Sequence, residues 1–87
     1  MIDEQISVIR AVRAAGRNQP SGAASTLDIM NALVAQGHSA AHGTMLARAL
    51  TAACSEGYIR RVHIGTQDRW QITAQGDNYL SMLLAFA

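Results

Sequence analysis

The binding chemistry of this chain is concentrated in its arginines. Its seven basic residues include no lysine, so each one carries a planar guanidinium whose N–H groups match phosphate oxygens and the edge of guanine. Six of them form two clusters and the seventh stands alone: Arg10, Arg13 and Arg17, then Arg60, Arg61 and Arg69, and finally Arg48. These side chains are suited to a nucleic-acid partner.

Catalytic and metal-ligating patterns are not evident beside these arginines. His38 and His42 are four residues apart, but His38 falls in a predicted turn, so helical spacing does not bring the two together. Cys54 is the only thiol and is expected to be a small, half-buried apolar residue. No Ser-His-Asp or Cys-His pattern has structural support, and no glycine-rich loop follows a strand. We therefore expect no enzymatic activity, no metal and no cofactor.

Composition and charge define the class of protein. The chain has 87 residues, of which 49% are hydrophobic, and this predicts one globular domain over residues 1–87. The net charge of +1 is low for a protein that binds nucleic acid by bulk charge. A single cysteine excludes an internal disulfide. The chain shows neither a signal-peptide pattern nor the roughly 20 apolar residues that span a bilayer, so we expect a cytoplasmic protein.

Hydrophobic spacing predicts four helices and one hairpin. Apolar residues recur at helical intervals over about 2–15, 26–36, 40–55 and 74–85. Between about 58 and 72 the pattern alternates, which predicts a β-hairpin with the four-residue loop Gly65-Thr66-Gln67-Asp68. The predicted fold is mainly α with a small β-hairpin, an α+β arrangement in the order helix, helix, helix, hairpin, helix.

Polar and glycine residues mark the predicted ends of these helices. Ser25, with Asp28 three residues later, has the form of a capping box. Ser39 and Thr73 are placed to cap the third and fourth helices. The first helix is expected to end near Gly16.

Three short motifs follow one another along this pattern. They are Gly43-Thr44-Met45-Leu46, Ser55-Glu56-Gly57-Tyr58-Ile59 and Trp70-Gln71-Ile72-Thr73-Ala74-Gln75-Gly76. In this order they resemble the recognition helix, the strand entry and the start of the closing helix in winged-helix DNA-binding domains of PadR-like and MarR-like bacterial regulators. The resemblance covers residues 26–80 and implies a winged helix-turn-helix that binds duplex DNA, with the hairpin as its wing. The chain departs from the family in having few polar residues on the recognition helix.

The angular positions on the third helix predict which of its residues face DNA. With Leu46 and Leu50 toward the core, Arg48 lies on the opposite face. Arg48 is the candidate for a bidentate contact with guanine, and the alternative is a solvated arginine on an amphipathic helix. The predicted DNA-contacting residues of this helix are Ala41, Thr44, Met45, Arg48 and Thr51.

The wing adds further cationic side chains. Asp68 partly offsets their charge, and Trp70 is expected to cover the core beneath the wing. The predicted phosphate contacts are Arg60, Arg61, His63 and Arg69. The alternative is a solvated outer face, which hairpins need in any case. The arginines of the first helix are open to the same two interpretations.

An apolar surplus on the final helix predicts a twofold homodimer. Its apolar residues cover more than half of the circumference of the helix, and Val8 of the first helix falls outside the buried stripe. The predicted interface residues are Tyr79, Leu80, Met82, Leu83, Leu84, Phe86 and Val8. The alternative is that these residues close the core of the monomer.

Together these patterns predict a sequence-specific, double-stranded DNA-binding transcription regulator that acts as a small homodimeric repressor, with no membrane contact. The alternative is a winged helix that binds a protein partner without DNA, which the low net charge and the alanines of the third helix favour. Convergence of Arg48 with the wing arginines on one face would favour DNA.

Overall fold

The computed structural model describes residues 2–36 and 43–85, with side chains for 5–36 and 46–83. It contains the helices α1 (Ile2–Arg17), α2 (Thr26–Ala35), α3 (Gly43–Ser55) and α4 (Ala74–Ala85), and the strands β1 (Ile59–Ile64) and β2 (Gln67–Ile72). The α+β class and the element order are as predicted. The predicted cap Ser39 and the expected helix start at residue 40 lie outside the described residues.

Helix α1 is the element around which the others pack. It contacts α2, α3, α4 and β2, and its residues Ile9, Ala11 and Val12 are fully buried. Val8 is only 5% exposed, so its predicted place outside the buried stripe is wrong. Because α1 is covered on several sides, its buried face is wider than the single stripe that helical periodicity assumes.

Gly16 lies one residue before the end of α1, which agrees with the predicted end near this glycine. A Cβ at this position would lie 2.6 Å from the carbonyl oxygen of Gly22. The glycine therefore allows the connection between α1 and α2 to pass directly against the helix, and α1 continues to Arg17.

The amino end of α2 forms the predicted capping box. Ser25 Oγ accepts a hydrogen bond from the backbone N–H of Asp28 at 3.2 Å. The Asp28 carboxylate accepts one from the N–H of Ser25 at 3.3 Å. Both bonds satisfy N–H groups that the first turn of a helix leaves unpaired. Ile29 and Leu33 then carry the buried side of α2.

The hairpin loop is shorter than predicted. Ile64 pairs with Gln67, so only Gly65 and Thr66 connect the strands, and Gly65 has the positive φ of 63° that tight hairpin turns favour. Gln67 and Asp68, predicted as loop, belong to β2. These two polar residues follow Gly65 and Thr66, and in sequence this resembles a turn. In the structure they form the exposed start of β2.

A backbone bridge that the sequence analysis missed attaches the hairpin to the α1–α2 connection. The N–H of Ala24 donates to the Trp70 carbonyl at 2.8 Å, and the N–H of Trp70 donates to the Ala24 carbonyl at 2.9 Å. Ala24 is fully buried. Trp70 packs partly buried against the core, as predicted.

The junction of α3, β1 and α4 depends on two glycines and a threonine. Gly57 ends α3 with a φ of 84°, and the N–H groups of Gly57 and Tyr58 donate to the Cys54 and Ala53 carbonyls in a Schellman pattern. Thr73 caps α4 as predicted, because its Oγ1 accepts from the N–H of Gly76 at 3.0 Å. The same hydroxyl donates to the carbonyl of Gly57 at 2.6 Å.

None of the helices in the described part of the chain combines the length and the apolar character that crossing a membrane requires.

Replacing Gly76 by alanine should destabilise the protein by about 1–3 kcal/mol, although this change inside a helix ordinarily stabilises by about 1 kcal/mol. A Cβ at this position would overlap the carbonyl oxygen of Tyr58 and lie 2.8 Å from Cγ1 of Ile72. Urea denaturation measures the change. The exposed Ser81 provides a control, since Ser81→Ala should stay within about 0.5 kcal/mol of the wild type. An unchanged or higher stability of Gly76→Ala would contradict the close approach of α4 to Tyr58 and Ile72.

Candidate nucleic-acid interface

The outer face of α3 consists of small side chains and one arginine. Leu46, Leu50 and Ala53 are buried, while the exposed residues between 46 and 55 are Ala47, Arg48, Thr51, Ala52 and Ser55. Arg48 and Thr51 therefore occupy the predicted face. Thr51 Oγ1 donates to the Ala47 carbonyl at 2.8 Å, which holds the hydroxyl against its own helix and leaves its lone pairs free to accept. Ala41 and the side chains of Thr44 and Met45 lie outside the described part.

An open groove joins this face to the hairpin. It is lined by Thr51, Cys54, Ser55, Ile59, Arg60, Arg61 and Trp70. Two cationic side chains of β1 thus lie beside the second half of α3, and none of these described lining residues is a carboxylate. The nearest acidic residue along the chain, Glu56, accepts a hydrogen bond from Gln5 Nε2 at 2.8 Å.

The pleat of the hairpin divides its cations between two faces. Cross-strand partners share a face, so Arg61, opposite Trp70, and His63, opposite Asp68, lie on one side. Arg60, opposite Gln71, lies on the other side. Its Nε and Nη2 both donate to Gln71 Oε1, at 2.8 and 2.6 Å, and this fixes the direction of the guanidinium at the edge of the groove.

Arg69 points inward toward the α1–α2 connection. Its Nη1 donates to the Ala23 carbonyl at 3.3 Å and to Gln19 Oε1 at 3.4 Å. Its Nε is buried and has no hydrogen-bond partner among the described residues. Arg69 therefore does not line the groove beside α3, and the expected convergence of the wing arginines is incomplete.

His63 and Asp68 form an exposed pair near the hairpin turn. His63 Nδ1 and Asp68 Oδ1 are 2.7 Å apart, and 69% and 49% of the two side chains are exposed. Asp68 therefore brings a carboxylate to this end of the hairpin.

Several residues of the predicted dimer face are buried in the structure. Leu80 is 2% exposed and Val8 5%, so both belong to the core of this chain. The rings of Tyr79 and Tyr58 stack with centroids 4.4 Å apart. Leu83 packs against the core, which leaves Met82, at 57% exposure, as the exposed member. Phe86 and the side chain of Leu84 lie outside the described part.

Helix α2 carries apolar exposure that the sequence analysis did not anticipate. Val34 is 62% exposed and Leu27 64%. They are separated by two helical turns and lie on the same side of α2. Only the side of α2 that carries Ile29 and Leu33 packs against the core. The spacing of apolar residues in the sequence does not show how much of the helix surface the core covers.

Protein-family models, characterised proteins and solved structures provide no match to this chain.

The pKa of Cys54 offers a test of the groove. Burial raises the pKa of this thiol, and the positive charge of Arg61 acts against that increase. Arg61→Gln should therefore raise the pKa of Cys54 further and slow its alkylation by iodoacetamide at pH values near 8, because less thiolate is present. The matched control Arg10→Gln removes an exposed charge from α1 and should leave the pH profile unchanged. Superimposable profiles for wild type and Arg61→Gln would contradict the placement of Arg61 beside the thiol.

Proposed function

We propose that this protein binds double-stranded DNA in a sequence-specific manner, with α3 in the major groove and the hairpin beside it. The observation that carries the proposal is the continuity of the α3 face with the groove of β1. Thr51 on the helix and Arg60 and Arg61 on the strand line one open groove whose described lining residues include no carboxylate. Arg48 is exposed one helical turn before Thr51, on the same outer side of α3.

The shape of α3 supports an approach to base edges. The major groove of B-DNA is about 12 Å wide and admits one helix. Ala47, Ala52 and Ser55 are exposed and short, so the helix backbone can come close to the bases. Arg48 is the long side chain on this face and can donate two hydrogen bonds to O6 and N7 of guanine.

The hairpin supports binding to the DNA backbone. Arg61 lines the groove. The guanidinium of Arg60 is already held in one direction by its hydrogen bond to Gln71. Arginine donors fixed before binding lose less conformational entropy when they meet phosphate. These contacts add affinity without reading sequence.

The element order supports assignment to the winged helix-turn-helix class that the motifs resemble. In this proposal α2 and α3 form the helix-turn-helix and the β1–β2 hairpin is the wing. A cytoplasmic protein of this kind acts as a small repressor by occupying its operator, since occupancy alone blocks a promoter.

A second copy of the chain is the proposed protein partner. Met82 is exposed on α4, and a twofold contact through the end of this helix leaves both α3 faces free. The two half-sites would then lie about 34 Å apart, or a multiple of that distance.

The second candidate is a domain that binds another protein without DNA. The exposed Leu27 and Val34 on one side of α2 favour it, because exposed apolar side chains that share one helix face can form part of an interaction surface. These residues are on a different helix from Arg48, so variants of the two surfaces separate the candidates.

Arg48→Ala should weaken binding to the preferred duplex by about 1–3 kcal/mol and relax the preference at one base pair, as loss of a bidentate contact does. Competition among duplexes that differ at single positions measures both effects. Arg10→Ala, which removes an exposed arginine from α1, is the control and should preserve the base preference. Unchanged affinity and base preference in Arg48→Ala would remove this residue from the interface.

Arg60→Gln and Arg61→Gln should each weaken binding to all duplexes alike and reduce the slope of log affinity against log salt by about one unit. Affinities measured across a salt series give the slope. If either change alters the preferred sequence and leaves the slope unchanged, the hairpin reads bases and its assigned role is wrong.

Met82→Glu should shift the protein from dimer to monomer in sedimentation equilibrium at micromolar concentration, because the new charge must be desolvated in the contact. Leu27→Glu places the same charge on α2 and should leave the dimer intact. A monomeric wild-type protein under these conditions would contradict the proposed assembly.

A further inference from the structure

A second group of cationic side chains lines an open cleft between the carboxyl end of α1, the strand β2 and the start of α4. The cleft has a volume of about 230 Å³. Its lining residues are Arg13, Gly16, Arg17, Gly22, Gln71, Ile72 and Asp77. None of them lines the groove beside α3, so this cleft is distinct from the proposed DNA surface.

The carboxamide of Gln71 is oriented to donate on this side. Both bonds from Arg60 end on Oε1 of Gln71, and a guanidinium can only donate, so the assignment of oxygen and nitrogen is fixed by chemistry. The amide nitrogen then faces the connection at Gly22, where an added Cβ would lie 3.2 Å from Nε2. Within the described residues, Gln71 Nε2 has no acceptor.

The balance of charge in the cleft is positive. Arg13 and Arg17 bring two guanidinium groups, and Asp77 is the only carboxylate among the described lining residues. Arg13 Nη1 and Asp77 Oδ1 are 3.7 Å apart, with 56% of the Asp77 side chain exposed. This separation is longer than a hydrogen bond, so the pair leaves donors of Arg13 available.

We propose that this cleft binds a phosphate oxyanion, free or as part of a larger ligand. Arg13 and Arg17 on α1 and the Gln71 amide on β2 line one space, and an oxyanion with several acceptor oxygens can accept from both elements. The inference does not require that α3 binds DNA, because the two sites use separate lining residues.

Titration of the ¹⁵N-labelled protein with sodium phosphate, at constant ionic strength balanced by sodium chloride, tests the site. The side-chain amide of Gln71 and the backbone amide of Gly22 should shift and saturate. Arg17→Gln should weaken phosphate binding about tenfold, the size expected for loss of a charged hydrogen bond. Arg10→Gln removes the same charge from an exposed position of α1 outside the cleft and should leave the affinity unchanged.

Asp77→Asn should change the phosphate affinity in the opposite direction to Arg17→Gln. A general loss of folding would not produce such an increase. Removing the carboxylate frees Arg13 from its competing partner, so phosphate affinity should rise. Shifts that never saturate, shifts that chloride reproduces, or equal losses in Arg10→Gln and Arg17→Gln would overturn the proposal. A decrease of affinity in folded Asp77→Asn would overturn it as well.

The source of the phosphate is resolved by a parallel titration with a short duplex. Shifts at Gly22 that persist with Arg48→Ala and are lost with Arg17→Gln would support the cleft and identify the DNA backbone as the ligand; Gln71 is not used as a marker here, because its partner Arg60 belongs to the proposed DNA surface. If inorganic phosphate saturates the amides of Gly22 and Gln71 and the duplex leaves Gly22 unmoved, the site is supported as one for free or terminal phosphate. Failure of DNA binding at α3 does not change the phosphate result.

Discussion

The close approach of α4 to the β1 entry determines how the hairpin is held relative to α3. Gly57 turns the chain out of α3 with a positive φ, and Gly76 lets the first turn of α4 lie against the Tyr58 carbonyl. Thr73 joins the two with one hydroxyl that donates to Gly57 and accepts from Gly76. Because these contacts are short and made by the backbone or next to it, β1 leaves α3 in a defined direction. Arg61 is thereby placed beside Cys54, and the groove between helix and strand follows from this junction.

Local signals in the sequence predicted the elements and their caps well. The Ser25–Asp28 box, the Thr73 cap and the inward stripe of Leu46 and Leu50 depend on residues close together in the chain, so spacing carries the information. The burial of Val8 and Leu80 could not be predicted in this way. Whether a residue beside an apolar stripe is covered depends on how many elements pack around its helix, and α1 has neighbours on several sides.

The arrangement of the candidate site was partly predictable for the same reason. The outward position of Arg48 follows from helical geometry, and the structure agrees with it. The separation of Arg60 from Arg61 follows from the pleat alone, because successive residues of a strand point to opposite faces. Their cross-strand partners Gln71 and Trp70 depend on the register, which is set by a loop two residues shorter than predicted. The inward direction of Arg69 depends on Gln19 and Ala23, which are distant in sequence, and the Ala24–Trp70 bridge brings them together. A net charge of +1 thus conceals a local concentration of arginine on β1.

Selection from a pool of random duplexes tests most directly the claim that α3 and β1 form a sequence-reading surface. The wild-type protein should enrich one short motif that contains a guanine, because Arg48 is the one long donor on the exposed side of α3 between residues 46 and 55 and pairs best with that base. Retained duplexes with no common motif, or no retention above the starting pool at low salt, would contradict the account.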